Sequence, residues 1–156
     1  MQYKIINIRE NPDFLDMAAD YFSSKWPVGR QVYYDSISDS TYTKAAVPRW
    51  YLMMDNETII GSFGLIKNDF MVRKDLTPWL CALYIEENMR GKNLGALLLK
   101  HARKESKLLG FDSLYLCTDH IGYYEKHGWK FFGEEESELG GQTRVYTADT
   151  AGWHCI

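Results

Sequence analysis

The stretch "LYIEENMRGKNLGALLLKHA", Leu83–Ala102, decides the fold. An apolar strand runs into a charged turn and continues as a helix with one apolar face. The entrance of a helix already carries unpaired N–H groups and a partial positive charge. Arg90, Gly91, Lys92 and Gly95 add cations there and remove side-chain bulk, which favours a phosphate-bearing ligand. The alternative is a loop that merely contains glycine.

The spacing of this turn excludes two common nucleotide motifs. The sequence contains neither G-x-G-x-x-G nor G-x-x-x-x-G-K-[ST], so it has no Rossmann fingerprint and no P-loop. The spacing R-x-x-x-x-G from Arg90 to Gly95 still lets backbone N–H groups of residues 91–96 point at one pyrophosphate.

The segments around the turn predict a βαβ unit. "WLCALYI", Trp79–Ile85, is an apolar run typical of a central strand buried on both faces. The helix that follows should end near Gly110, a residue suited to a C-terminal cap. "SLYLC", Ser113–Cys117, is a second short strand, and a strand–helix–strand order places the two strands parallel.

The remaining segments predict further strands and helices around this unit. A strand is expected at Tyr3–Ile8 and a helix at Asp13–Trp26, whereas residues 30–46 are expected to be irregular or partly helical. "RWYLMM" and "TIIGSFGLI" predict a hairpin that turns at Asp55–Asn56. Gly61 and Gly64 in its second arm indicate a bulge or a close backbone approach. "WKFFGEEE" and "TRVYTA" predict the last two strands.

Composition restricts the class of protein. The chain has 156 residues, 46% of them hydrophobic and 25% charged, which suits one globular domain. A net charge of −3 argues against a nucleic-acid partner or an acidic membrane surface. Three cysteines without a pairing pattern, no signal peptide and no long apolar run predict a soluble cytoplasmic protein without membrane association.

A second motif follows the βαβ unit. "GYYEKHGWKFFGE", Gly122–Glu134, places two tyrosines, Tyr123 and Tyr124, on a short helix expected around Ile121–His127 and closed by Gly128. Aromatic packing is the structural alternative for such tyrosines.

Together the two motifs resemble the GNAT superfamily of acetyl-CoA-dependent N-acetyltransferases. Members carry a [QR]-x-x-G-x-[GA] turn that opens a helix, and later a [FLY]-Y-[EQ]-[KR]-x-G-[FW] segment; here these are "RGKNLGA" and "YYEKHGW". The resemblance is close over Pro78–Phe132 and loose before it. It implies one α/β domain over residues 1–156, with a central mixed β-sheet of about six to seven strands flanked by helices.

The resemblance also implies a ligand site, with acetyl-CoA as the cosubstrate. Backbone groups of Leu83, Tyr84 and Ile85 would hold the pantetheine arm as an added strand would. Tyr124 would protonate the departing sulfur. The residues that would cradle the pyrophosphate are Arg90, Gly91, Lys92, Asn93, Leu94, Gly95 and Ala96.

Three departures from the family pattern affect the expected site. Asn93 replaces the middle glycine of the turn, and asparagine tolerates left-handed backbone. Cys117 stands where many members have an asparagine. Trp79 and Leu80 occupy the region where some members carry a catalytic carboxylate, so no base is identified.

Asp119 and His120 precede Tyr124 and are the tentative base region. Asp119 could instead be the N-cap of the short helix, and His120 could simply be exposed. Glu86 and Glu87 are expected to be solvated turn residues. A water chain to bulk solvent could also serve as the base.

These motifs predict transfer of an acetyl group to a primary amine by direct attack in a ternary complex, without a metal. Cys117, His120 and His127 offer a weak zinc alternative because no fourth ligand lies near. A non-catalytic acyl-CoA sensor and a protein or peptide N-acetyltransferase remain open alternatives to a small-molecule enzyme. A homodimer also remains open.

Overall fold

The computed structural model describes residues 3–151, which form seven β-strands and three α-helices. The strands are β1 (Tyr3–Asn7), β2 (Arg49–Asp55), β3 (Thr58–Ile66), β4 (Trp79–Ile85), β5 (Ser113–Thr118), β6 (Lys130–Glu136) and β7 (Gln142–Asp149). The helices are α1 (Leu15–Lys25), α2 (Arg30–Ser40) and α3 (Leu94–Leu108).

The seven strands form one mixed sheet with the order β1-β2-β3-β4-β5-β7-β6. β4 and β5 are parallel, with Trp79 opposite Tyr115, whereas β1 pairs with β2, and β7 with both β5 and β6, in antiparallel fashion. The predicted βαβ unit and the central position of β4 are therefore confirmed.

Contacts divide the chain into two compact units. Among the described residues, the first unit comprises those up to Gly64 together with Ala82–Gly95, and the second comprises Leu65–Cys81 together with residues 96–151.

An aromatic cluster forms the centre of the first unit. The ring of Phe22 on α1 lies 5.5 Å from Tyr33 on α2 and 4.9 Å from Trp50 on β2, measured between centroids. Gly64 on β3 lies so close to the Trp50 ring that a Cβ there would approach it to 2.5 Å. This confirms the predicted close approach at Gly64.

Helix α2 occupies most of the segment that was expected to be irregular or partly helical. Its two buried apolar residues, Tyr33 and Ile37, are four positions apart and so lie on one face. The polar residues between them obscured this pattern in the sequence, because two buried positions give a weak periodic signal.

The second unit is built on β5, β6, β7 and α3. Trp79, Met71, Leu76 and Val145 form a buried cluster. Helix α3 ends at Leu108, and Gly110 follows with a φ of +97°. Gly110 thus ends the helix as predicted.

Two local predictions were wrong. Only Trp79 and Leu80 of β4 are buried, whereas residues 81–85 are half-buried, so the strand is not buried on both faces along its length. The expected helix around Ile121–His127 is only a 3-10 turn, Glu125–His127. Gly122 precedes this turn with a φ of +96°, a conformation that no helix includes.

Candidate functional site

The predicted phosphate turn lies between a 3-10 turn, Glu87–Met89, and α3. Gly91 has a φ of +85° and Asn93 a φ of +62°, so both are left-handed. Both are exposed, as is Lys92, whereas Leu94 is buried and anchors the start of the helix. The backbone of the turn is therefore exposed to solvent. Asn93 replaces the middle glycine of the family turn, and it adopts the left-handed conformation that glycine would adopt there.

The Arg90 side chain folds back on the end of β4. Its Nε donates a hydrogen bond to the Ile85 carbonyl oxygen at 3.0 Å, and its guanidinium carbon lies 5.3 Å from the ring centroid of Tyr84. The Nζ of Lys25 lies 4.8 Å from the same centroid. Arg90 thus fastens the turn to β4, whereas Lys92 is exposed beside it.

The second half of β4 contains an irregularity that the sequence did not signal. Ala82 has a φ of +52°, although alanine seldom adopts this conformation. The Ser62 hydroxyl donates to the Ala82 carbonyl oxygen at 3.0 Å, and the Glu86 N–H donates to the Ile60 carbonyl oxygen at 2.8 Å. These contacts hold the predicted pantetheine-binding residues Leu83, Tyr84 and Ile85 in a half-buried strand beside the irregular residue.

Glu86 is not a solvated turn residue, so that prediction was wrong. The Tyr21 hydroxyl donates a hydrogen bond to its carboxylate, and Lys25 Nζ lies 3.0 Å from the same carboxylate. Burial alone would raise the pKa of Glu86, but the Tyr21 hydrogen bond and the Lys25 charge outweigh it and hold the pKa below its usual value. Glu87, in contrast, is exposed as expected.

Tyr124 immediately precedes the 3-10 turn and is 9% exposed. Its ring packs against Tyr123 and Tyr146, with centroids 5.0 and 6.1 Å away. Burial, followed by the nearby Tyr123 and Cys117, raises the pKa of Tyr124 to about 12. The phenol therefore keeps its proton at physiological pH.

The other residues of the "YYEKHGW" motif hold Tyr124 in place. Glu125 accepts hydrogen bonds from the Gly122 N–H at 2.8 Å and from the Tyr146 hydroxyl at 2.9 Å. The N–H of buried Trp129 donates to the Tyr124 carbonyl oxygen at 3.1 Å. Gly128 has a φ of +85°, which closes the turn.

The tentative base region, Asp119 and His120, is exposed. The N–H of His120 donates to the Thr118 hydroxyl at 3.0 Å. Asp119 is not the N-cap of the short helix, because Tyr124 holds that position. The sequence prediction failed there because the helix begins several residues later than expected.

Sequence reasoning missed a carboxylate, Asp69, in the connection between β3 and β4. The Cys117 thiol donates a hydrogen bond to Asp69, with Sγ and Oδ2 3.6 Å apart. Burial, followed by the negative charge of Asp69, raises the pKa of Cys117 to about 12. The thiol therefore stays protonated at physiological pH, and a protonated thiol is a poor nucleophile. The separation of 48 residues hid the pair.

The described residues were compared with the requirements of a metal site and of a membrane-spanning helix. Between residues 3 and 151, no group of three or more His, Cys, Asp or Glu side chains is placed to hold a metal ion. In the same part of the chain, no helix combines the length and apolar character needed to cross a membrane.

Comparison with solved structures shows that the chain has the fold of the acetyltransferases. An aminoglycoside 6'-N-acetyltransferase complexed with coenzyme A superimposes with a TM-score of 0.70 at 18% identity, covering 96% of this chain and 97% of that one. A GNAT-family acetyltransferase from Streptococcus pneumoniae gives 0.70 at 14% identity, over 95% and 99%. One from Elizabethkingia anophelis with acetyl-CoA bound gives 0.62 at 16% identity, over 94% and 97%.

The sequence profile of the Acetyltransferase (GNAT) family matches residues 11–129, so the chain belongs to this family. The protein is therefore an acetyltransferase with acetyl-CoA as its cosubstrate, and the predicted family, fold, enzyme class and cosubstrate are confirmed. No curated protein sequence matches the chain.

Proposed function

We propose that this acetyltransferase moves the acetyl group of acetyl-CoA to a primary amine of a small molecule. The observation that carries the acetyl-transfer step is the position of Tyr124, a buried phenol directly before the 3-10 turn of the tyrosine motif, which its raised pKa keeps protonated. A phenol that stays neutral can donate its proton to a departing thiolate, whose thiol has an ordinary pKa of about 8.5.

The turn before α3 supports a role in binding the pyrophosphate. Its backbone is exposed and left-handed at Gly91 and Asn93, a shape in which successive N–H groups form a concave site for an anion. Lys92 adds positive charge, and the first residues of α3, Leu94, Gly95 and Ala96, add backbone N–H groups. The backbone of Leu83, Tyr84 and Ile85 would bind the pantetheine arm.

The chemical steps follow from direct attack in a ternary complex. Acetyl-CoA supplies the thioester, and the neutral amine attacks its carbonyl carbon. Backbone N–H groups of β4 stabilise the developing oxyanion. Tyr124 protonates the sulfur as the C–S bond breaks. The exposed Asp119 and His120 remain the base region that the sequence predicted.

An acceptor screen tests the proposal. Spermidine, aminoglycosides and lysine-containing peptides would be incubated with acetyl-CoA, and the released thiol would be measured. Aminoglycosides belong in the panel because a structural neighbour is an aminoglycoside 6'-N-acetyltransferase. Thiol release with a small amine supports the proposal. Release with peptides alone would indicate a protein or peptide acetyltransferase, and tight CoA binding without any release would indicate a sensor.

A further inference from the structure

The second half of β4 presents one backbone edge away from β3. The N–H of Glu86 donates to the carbonyl oxygen of Ile60 on β3 at 2.8 Å. The N–H and C=O of a trans peptide point in opposite directions, so the Ile85 carbonyl, which belongs to the same peptide, points away from β3. At the other end of the segment, the Ala82 carbonyl oxygen accepts the hydroxyl of Ser62 on β3, so the N–H of the next residue also points away from β3. A ligand that pairs with β4 as an added strand would use this edge.

Arg90 already occupies the Ile85 carbonyl on this edge. Its Nε donates to that oxygen at 3.0 Å, and its guanidinium carbon lies 5.3 Å from the ring centroid of Tyr84. All of these residues belong to the first unit. An amide N–H of the pantetheine arm that paired with β4 at this point would need the same carbonyl oxygen. Arg90 and the arm therefore compete for one backbone acceptor.

The contact between Arg90 and Ile85 is placed where it can be exchanged for another. Arg90 is exposed, and an exposed hydrogen bond is readily replaced by one to water. Arg90 directly precedes Gly91, where an added Cβ would meet no atom within 4 Å, so the turn proposed to bind the pyrophosphate is uncrowded beside it. A guanidinium binds a phosphate through two parallel charge-assisted hydrogen bonds, which are stronger than one bond to a neutral carbonyl.

On the basis of the proposed function, we propose that Arg90 makes binding of the pantetheine arm depend on the pyrophosphate. Without a pyrophosphate, the guanidinium stays on the Ile85 carbonyl and weakens pairing of the arm with β4. With a pyrophosphate, the guanidinium binds the phosphate oxygens and leaves the carbonyl free. Arg90 is then a specificity-determining residue for the acetyl donor. It favours thioesters of CoA over thioesters of pantetheine or 4'-phosphopantetheine, which lack the pyrophosphate.

The test compares the affinities of wild type and Arg90→Met for two ligands. CoA binding is measured by calorimetry, and binding of pantetheine, the weaker ligand, by NMR titration. Methionine keeps an unbranched apolar side chain beside Tyr84 and removes every donor. Pantetheine should bind the variant about threefold or more tightly than it binds wild type, because the Ile85 carbonyl is free. CoA should bind about threefold or more weakly, because the stronger contact with the pyrophosphate is lost.

Lys92→Met is the matched control. Lys92 is an exposed cation of the same turn, and its substitution leaves the Arg90 contact with Ile85 in place. This variant should weaken CoA binding through the loss of charge, yet keep pantetheine affinity within about twofold of wild type. Arg90→Ala provides a second variant and should repeat the two opposite changes of Arg90→Met. The unfolding midpoints should stay near wild type, because both substituted side chains are exposed.

The possible outcomes are distinct. Unchanged or weaker pantetheine binding in Arg90→Met would overturn the proposal, because Arg90 and the arm would not compete. Equally tighter pantetheine binding in Lys92→Met would overturn it by assigning the effect to charge alone. Unchanged or tighter CoA binding in Arg90→Met would overturn it by showing that the pyrophosphate does not bind the guanidinium.

These results leave the proposed acetyl transfer intact, because they measure binding of the donor alone. The proposed function itself would be overturned in the acceptor screen, by wild-type enzyme that releases no thiol with any amine.

Discussion

The Cys117 thiol donates its hydrogen bond to a carboxylate, Asp69, that lies 48 positions earlier in the chain. Burial and the Asp69 charge raise the pKa of Cys117 to about 12. Because thiols react as thiolates, iodoacetamide at about pH 8 should alkylate Cys117 at least tenfold more slowly than glutathione. Mass spectrometry of the Cys117 peptide measures this rate.

The Asp69→Asn variant provides the control for this contact. Removing the negative charge should lower the pKa of Cys117 and speed its alkylation, although burial still slows it. A Cys117 that reacts as fast as glutathione in the folded wild type would show that the thiol is not in this environment.

The left-handed backbone at Asn93 predicts a sharp difference between two substitutions. Asn93→Gly should leave the free energy of unfolding nearly unchanged, because glycine adopts a φ of +62° without strain. Asn93→Val should cost about 1–2 kcal/mol or more, because a β-branched residue is disfavoured there. Denaturant titration checks both. Equal stability of the two variants would contradict the assigned conformation.

The strands and the long helix were predictable because their signals are local. Apolar runs marked β4 and β5, and a periodic apolar face with a terminal glycine marked α3 and Gly110. The irregular residue Ala82 could not be found this way. Its left-handed conformation is fixed by contacts of distant residues, such as the hydrogen bond from Ser62, and alanine itself carries no sign of it.

Gly95 lies in the first turn of α3, where a side chain would crowd the proposed pyrophosphate. Gly95→Glu should weaken CoA binding about tenfold or more, through bulk and through like charge. Calorimetry measures the affinity. Leu108→Glu makes the same change of charge at an exposed site at the other end of the helix, and it should bind CoA as wild type does. Unchanged affinity in a folded Gly95→Glu variant would remove this turn from the binding site.

The candidate site was predictable only where motifs are continuous in sequence. The turn and the tyrosine motif each occupy a short stretch, so Asn93 and Tyr124 could be singled out beforehand. Asp69 and Glu86 could not be assigned, because their environments are formed by residues far away in the chain, Cys117 for Asp69 and Tyr21 and Lys25 for Glu86.

The Glu86 contacts predict a stability effect that depends on pH. Glu86→Gln should lower the free energy of unfolding by about 0.5–1.5 kcal/mol at neutral pH, because Lys25 loses its ion-pair partner at a half-buried site. The folded state lowers the pKa of Glu86. The carboxylate therefore contributes stability above its unfolded pKa of about 4.3, and this contribution is lost as the pH falls through the lower folded value.

Denaturant titrations of wild type and Glu86→Gln across that range provide the measurement. The difference between them should shrink as the solution is acidified. Glu87→Gln is the control, because Glu87 is exposed and its substitution should change stability little. A pH-independent difference would mean that Glu86 is not ionised in the folded protein.

The last prediction concerns the hydroxyl of Tyr124. Tyr124→Phe keeps the ring that packs against Tyr146 and removes only the proton donor. CoA affinity and the unfolding midpoint should hardly change, whereas kcat should fall by about a hundredfold or more. An ordinary phenol has a pKa of about 10, whereas burial raises the pKa of Tyr124 to about 12. Wild-type kcat should therefore show no loss from ionisation of Tyr124 around pH 10.

The neighbouring Tyr123→Phe variant is the matched control. Tyr123 is 38% exposed, and its ring contacts the His127 ring edge to face, with a centroid distance of 4.9 Å. Tyr123 has no proposed part in proton transfer. Its substitution should therefore leave kcat near wild type. The comparison requires conditions in which chemistry limits the rate, verified by single-turnover measurement. A Tyr124→Phe enzyme that then turns over normally would mean that solvent or another side chain protonates the sulfur.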